Sequence, residues 1–392
     1  MHIPMRVHLD NKSFLLARWR TSFLHLLKKS SGVQLKRIIR CSMAAVVSGA
    51  LASPAMAQGS ITVGGVLDTG FMSVSNIGEG SQSKIVAGDG IMGMSHVGVR
   101  GKEDLGGGVN AVFTLQAGIK PSKGSQTSTG LLFSRNAYVG LDGALGTLTV
   151  GRQWGFNDDW MVGSVFMGGY HAGGVFKLTE FEALSAVYDN TIKYVTPTVG
   201  GLQGGAMYGL GEVAGKASAG SMYNLALRYA QGPFYMVASY AHEEAANASA
   251  SVYTVSTVGA SYSVGAWRAR LGYAASDIGG PGKFQSIISL PKSKASVVEA
   301  GVDYTVSSAF TMSGNVVYRE NKTFSNKTTV LRWLGRYTLS SRTSLIANVA
   351  YLSNADGATE ALVNNSSPLA GLGGAIADQS QTGIALGIIH SF

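Results

Sequence analysis

The sequence predicts an all-β protein, built as one antiparallel transmembrane β-barrel of about sixteen strands. Three observations lead there. From Ser60 onward, apolar residues alternate with small or polar ones in segments of about ten separated by Gly, Asp, Asn and Ser, which is the period of strands and not of helices. Only 14% of the residues are charged and 53 of the 392 are Gly, whereas soluble domains average about 25% charged and roughly 7% Gly; with 45% apolar residues the chain is not disordered either. No stretch beyond Ser60 approaches 18 consecutive apolar residues, which excludes helical spans.

The first element is a leader. Residues 1–57 carry nine basic side chains against the single acid Asp10, a net of +8 out of the +9 of the whole chain. Lys36, Arg37 and Arg40 precede an apolar run from Cys41 to Ser53, then Pro54-Ala55-Met56-Ala57 and a polar Gln58. A cationic region, a short apolar region and an A-x-A site read as a secretory signal peptide, with cleavage expected after Ala57. Residues 1–32 are superfluous to such a signal, so translation is expected to start near residues 33–35. Export leaves residues 58–392 as the barrel domain. Cys41 is the only cysteine and lies in the leader, so the exported part has no disulfide or thiol nucleophile. With the basic charge in the leader, composition gives no ground for a nucleic-acid partner.

Individual strands follow from the alternation. Phe310, Met312, Val316 and Tyr318 share one face while Thr311, Ser313 and Asn315 share the other. Tyr223, Leu225, Leu227 and Tyr229 oppose Asn224, Ala226 and Arg228; Trp267, Leu271 and Tyr273 oppose Arg268 and Arg270; Leu331, Trp333 and Tyr337 oppose Arg332 and Arg336. Strands are expected to begin near Ser60, Ile91, Val109, Leu131, Thr147, Asn190, Gln203, Met222, Phe234, Val252, Trp267, Lys294, Phe310, Thr328, Thr343 and Gln381. The links alternate short and long; the long ones are Asn76 to Gly90, Trp154 to Asp189, Asp277 to Ser293 and Asn354 to Ser380. An even count puts both termini on the periplasmic side.

Period two alone does not separate a membrane barrel from a soluble sandwich or propeller. Size decides. A closed barrel of this many strands has a lumen too wide for side chains to fill, so the apolar face belongs against lipid and the polar face against water. Tyr and Trp at the ends of the apolar faces match interfacial girdles.

Several stretches resemble the general diffusion porins of Gram-negative bacteria, in particular the beta-proteobacterial branch. They are Ser95-His96-Val97-Gly98-Val99-Arg100-Gly101-Lys102-Glu103-Asp104-Leu105-Gly106-Gly107-Gly108, Arg135-Asn136-Ala137-Tyr138-Val139-Gly140-Leu141, Leu145-Gly146-Thr147-Leu148-Thr149-Val150-Gly151-Arg152-Gln153, Asn190-Thr191-Ile192-Lys193-Tyr194 and the closing Gly387-Ile388-Ile389-His390-Ser391-Phe392. The resemblance runs in order through the exported chain. It implies sixteen strands, a homotrimer among outer-membrane lipid and lipopolysaccharide, passive diffusion of small hydrophilic solutes and ions, no cofactor, and a third outer loop folded inward as the constriction. The longest link, Trp154 to Asp189, falls where that loop belongs. A terminal Phe392 on an alternating strand resembles the signal read by the barrel-assembly machinery.

A diffusion pore needs fixed charges on a narrow wetted passage. Acidic candidates on the third loop are Asp158, Asp159, Glu180, Glu182 and Asp189. The resemblance places a basic wall residue at Arg135; a second family Arg is replaced here by His96, which makes the site less anion-attracting and pH-sensitive. Asp68, Arg100, Lys193, Arg228, Arg268, Arg270, Glu299, Asp303, Arg332 and Arg336 have lumen parity. An Arg facing lipid at mid-bilayer would cost about 2 to 4 kcal/mol, which sets their direction. The excess of wall cations leans towards weak anion preference.

Three other classes compete. A barrel hydrolase needs Ser and His together, but the exported chain has only His96, His171, His242 and His390 with no triad-like spacing, and no two histidines share a metal-binding motif. A substrate-specific channel is the alternative within the barrel class; a ladder of stacked lumen aromatics, the mark of sugar specificity, is not evident. A soluble lectin or propeller is the third.

Overall fold

A computed structural model describes residues 59–78, 80–166, 187–244, 253–279, 293–362 and 376–392. Eighteen strand segments form one sheet: β1 (Ser60–Ile77), β2 (Gln82–Asp89), β3 (His96–Asp104), β4 (Asn110–Lys120), β5 (Ser125–Gln126), β6 (Ala137–Gly143), β7 (Gly146–Trp154), β8 (Val187–Val195), β9 (Leu202–Gly209), β10 (Met222–Gln231), β11 (Phe234–Glu243), β12 (Tyr253–Val264), β13 (Trp267–Ile278), β14 (Ser293–Thr305), β15 (Phe310–Asn321), β16 (Asn326–Thr338), β17 (Thr343–Ala355) and β18 (Ser380–Ser391). Each wall strand pairs antiparallel with its neighbours, and β1 pairs with β18, so the sheet is closed. β2 and β3 both lie along β1, at its upper and lower halves, and are two pieces of one strand; β5 is a two-residue bridge on β4. Sixteen strands therefore cross the wall, as the alternation predicts.

Closure in a membrane follows from backbone accounting. An open edge in hydrocarbon would leave N–H and C=O groups without partners. Here the last edge is sealed by Val66 to Val74 against Gly383 to Ser391, and Phe392 continues the ladder by exchanging both backbone bonds with Gly65 at 3.1 Å.

The two faces differ as the sequence requires. On β16, Leu331 and Trp333 are 52% and 38% exposed, while Arg332 between them is 5% exposed. Leu225, Leu227, Met236, Val258, Leu271 and Tyr273 belong to the same bare outer face. Trp267 stacks on Tyr304 (4.2 Å between centroids) and Phe234 on Tyr262 (4.7 Å), both pairs beside short turns, where they form a girdle. The inner face carries Asn224, Thr257, Ser261, Arg270, Glu299 and Asn348, all buried.

The short turns owe their tightness to specific residues. Leu105 to Val109 reverses the chain through Gly106, Gly107 and Gly108 at φ of 83°, 62° and 77°, values that a side chain opposes. One expected boundary needs correction: Asn76 to Gly90 is not a link, because β2 occupies Gln82–Asp89 and the Ser81 N–H donates to the Gly78 carbonyl at 3.1 Å just before it. The second wall strand begins there, is interrupted at 90–95, and resumes at His96. Wall residues also begin at Ala137 rather than Leu131.

Candidate functional site

The chain leaving β7 turns onto the inner wall. Residues 155–166, including one π-helical turn at Asn157–Met161, lie against inner-face residues of β8 to β13. The backbone N–H of Phe156 donates to Asn224 Oδ1 at 2.7 Å, Tyr235 donates its hydroxyl to the Trp160 carbonyl at 2.5 Å, Thr257 donates to Asn157 Oδ1 at 3.0 Å, and Arg268 donates to the Ser164 carbonyl at 2.6 Å. Between these polar ties sit apolar contacts. Phe156, Val165 and Phe166 are at most 2% exposed.

Three inner-wall glycines make that close approach possible. A Cβ on Gly205 would lie 2.3 Å from the Phe156 ring, one on Gly259 2.0 Å from Val165, and one on Gly272 2.3 Å from the Phe166 ring. Any side chain would push the segment off the wall.

Four cations surround the segment. Lys193 donates to the Trp154 carbonyl at 2.9 Å, forms an ion pair with Asp159, and lies 4.5 Å from the centre of the Phe156 ring. Arg135 lies over the Trp154 ring at 5.0 Å and within the field of Asp158. Arg228 covers Trp160 at 4.7 Å and donates to Gln203, with no carboxylate on it among the described residues. Arg268 completes the set. Cations over aromatic faces are attracted by the ring quadrupole and held in place, so Arg135 and Arg228 rest on rings, whereas Lys193 has both a ring and the Asp159 carboxylate, and Arg268 is held by the neutral oxygens of Ser164 and Ser261.

Further along the wall, charges are paired. Arg270 meets Asp303 at 2.9 Å, and Arg332 meets Glu299 at 3.5 Å, with both of the latter side chains 1% exposed. Asn315 bridges this second pair, donating to Glu299 at 2.5 Å and accepting from Arg332 at 3.3 Å. Arg336 is exposed on the inner face and donates to Ser344 at 3.0 Å. Arg100 is also exposed on the inner parity of β3. His96 stands at the start of β3 with Nδ1 3.1 Å from the Met94 carbonyl oxygen.

Two sequence-derived placements change. Asp68 has the expected inward parity but is 0% exposed: its carboxylate accepts the backbone N–H groups of Ile91 (3.0 Å), Met92 (2.8 Å) and Gly93 (2.8 Å), so it folds the strand interruption instead of lining open water. Asp189 belongs to β8 and not to the loop, where Arg152 holds it at 2.5 Å. Arg152, 9% exposed and also bonded to the Ser134 carbonyl, escaped the sequence reading because its motif says nothing about its partner. Glu180 and Glu182 lie outside the described residues. Phe392 is 46% exposed at the closing seam.

A model of the Gram-negative porin family matches residues 43–357 of the chain. The chain is a Gram-negative porin. This porin is similar to outer membrane porin protein 32 of Delftia acidovorans, at 28% identity over 368 residues, covering 90% of this chain and 99% of the relative. Over 230 residues it is 30% identical to an outer membrane porin protein of Bordetella pertussis, covering 52% of this chain and 60% of that one. Among solved structures, an anion-selective porin from Comamonas acidovorans superposes with a TM-score of 0.72 at 26% identity, covering 86% of this porin and all of that chain. A trimer form of OmpT from Vibrio cholerae, at 16% identity and a TM-score of 0.58, shares the fold. The porin thus forms an outer-membrane channel for diffusion of small solutes, and its relatives are channels rather than enzymes.

Proposed function

We propose that the porin is a general diffusion channel whose third outer loop folds into the lumen to form the constriction, and that the constriction weakly prefers anions. The loop assignment is supported by the seating of residues 155–166 on the inner face of six successive strands. One observation carries the anion preference. On the inner wall, Arg135, Lys193, Arg228, Arg268 and Arg336 stand against Asp158 and Asp159, an excess of three positive charges, while the enclosed pairs of Arg270 with Asp303 and Arg332 with Glu299 cancel. Fixed charge of one sign in a low-dielectric channel raises the local concentration of counter-ions. The solved relative described as anion-selective points the same way.

The porin works as a homotrimer among outer-membrane lipid and lipopolysaccharide, reaches the membrane with its leader removed after Ala57, and presents Phe392 to the barrel-assembly machinery. Planar-bilayer recording tests the core of this reading. Conductance that closes in three equal steps, with a reversal potential on the anion side in a salt gradient, is the expected result; strong cation preference would overturn the constriction assignment.

A further inference from the structure

The interruption at 90–95 does more than divide a strand. Asp68 turns its backbone so that Met92, 6% exposed, helps to line a cavity of about 370 Å³ inside the short-turn end of the barrel. With Met92, Arg268, Arg336, Asp303, Ser263, Ser313 and Leu334 line this cavity. Its volume falls in the range of small-molecule sites, about 300 to 1,000 Å³.

The lining has an uneven chemistry. Asp303 is already held by Arg270, so its charge is balanced. Arg268 and Arg336 reach only neutral oxygens, of Ser164, Ser261 and Ser344. That leaves the cavity cationic. Leu334 breaks the pattern of the polar face: it occupies an inner position of β16 between Arg332 and Arg336 and is 4% exposed. Wall neighbours such as Ser313 and Ser344 show what a purely wetted passage would carry there. Apolar lining by Leu334 and Met92 together with two arginines suits an anion with an apolar body.

We propose that this cavity is a solute subsite on the periplasmic side of the loop segment, taking small amphiphilic monocarboxylates: the carboxylate pairs with Arg268 and Arg336 while the hydrocarbon part packs on Leu334 and Met92. The assignment rests on the channel reading above and adds a solute class to it.

Sodium benzoate and sodium acetate, titrated into the periplasmic-side compartment during single-channel recording in chloride, test it. Benzoate is expected to interrupt the chloride current with a half-blocking concentration about tenfold below that of acetate, the ratio that desolvating one small apolar surface supplies. Arg336→Gln is expected to raise both half-blocking concentrations, and Leu334→Thr to raise that of benzoate alone, each in protein that retains heat-modifiable migration. Equal block by benzoate and acetate in the unaltered porin would overturn the subsite while leaving the channel intact. A missing conductance would instead overturn the channel reading, and the subsite with it. If Leu334→Thr fails to fold, the benzoate-to-acetate ratio and Arg336→Gln still decide.

Discussion

Asp68 Oδ2 lies 2.8 Å from the backbone nitrogen of Met92, inside a barrel wall that is interrupted at that point. A single carboxylate thus replaces the ladder bonds that the interruption removes, taking three N–H groups at once. Asp68→Asn would turn an amide donor towards one or more of those donors. Leaving buried N–H groups unsatisfied costs about 1 to 3 kcal/mol each, so the variant is expected to lose about 2 to 4 kcal/mol, read as a lower temperature at which the compact gel form disappears. An unchanged transition would show that the interruption holds itself.

Arg332 and Glu299 offer a test of a different kind, because both side chains are almost fully enclosed. Removing one member of a buried pair strands the other, at about 3 to 5 kcal/mol, whereas replacing both by apolar groups is often neutral. Glu299→Leu should therefore unfold in detergent at markedly lower denaturant than the unaltered porin, and Glu299→Leu with Arg332→Met should recover most of the loss. Additive losses in the double variant would contradict the pairing.

The seat of the loop segment predicts that size, not polarity, matters at Gly272. Gly272→Val places methyl groups where the Phe166 ring lies. Overpacking of this kind costs about 1 to 3 kcal/mol, which is enough to lift the segment. Single-channel conductance should rise and its noise increase. A smaller conductance would mean that the segment does not limit the passage.

Charge at Arg228 predicts a change in selectivity. Its guanidinium rests on Trp160 and Gln203 and keeps its full field in the lumen. A unit charge about 8 Å from a passing ion acts through water with about 0.5 kcal/mol, attractive for an anion and repulsive for a cation, so Arg228→Gln should shift the anion-to-cation permeability ratio by about 1 kcal/mol, roughly fivefold, towards cations. High salt should shrink the difference by screening. An unmoved reversal potential in dilute salt would place Arg228 away from the ion path.

How much of this was legible in the sequence depends on what each residue reports. The inward parity of Arg268, Arg270 and Arg332 is readable because a strand's two faces are settled by its neighbours, here Trp267, Leu271 and Leu331, which are 53%, 59% and 52% exposed. β2 is hidden for the same reason in reverse: Gln82, Lys84, Val86 and Gly88 alternate with Ser83, Ile85, Ala87 and Asp89, so each face carries one large apolar residue among small or polar ones and no period shows. Pairings were illegible. Nothing in the spacing says that Asp189 belongs to Arg152 or that Asp68 belongs to three backbone groups, since both depend on register and on an interruption that the alternation hides. Gly205, Gly259 and Gly272 were indistinguishable from the many other glycines until the rings they admit were in place.

The closing seam has a consequence for synthesis. Asn76 donates to the carbonyl of Ser380, 304 residues further along, and Gly65 completes its ladder on Phe392. Every strand but the first can find its earlier neighbour as it emerges, whereas β1 must wait with one edge bare until β18 arrives. Contacts this remote in sequence are slow to form, and a bare edge invites pairing with other chains. The barrel therefore cannot mature strand by strand behind the translocation machinery; its final step is a ring closure that only a fully exported chain can make, and the chain depends on being kept apart from its siblings until then.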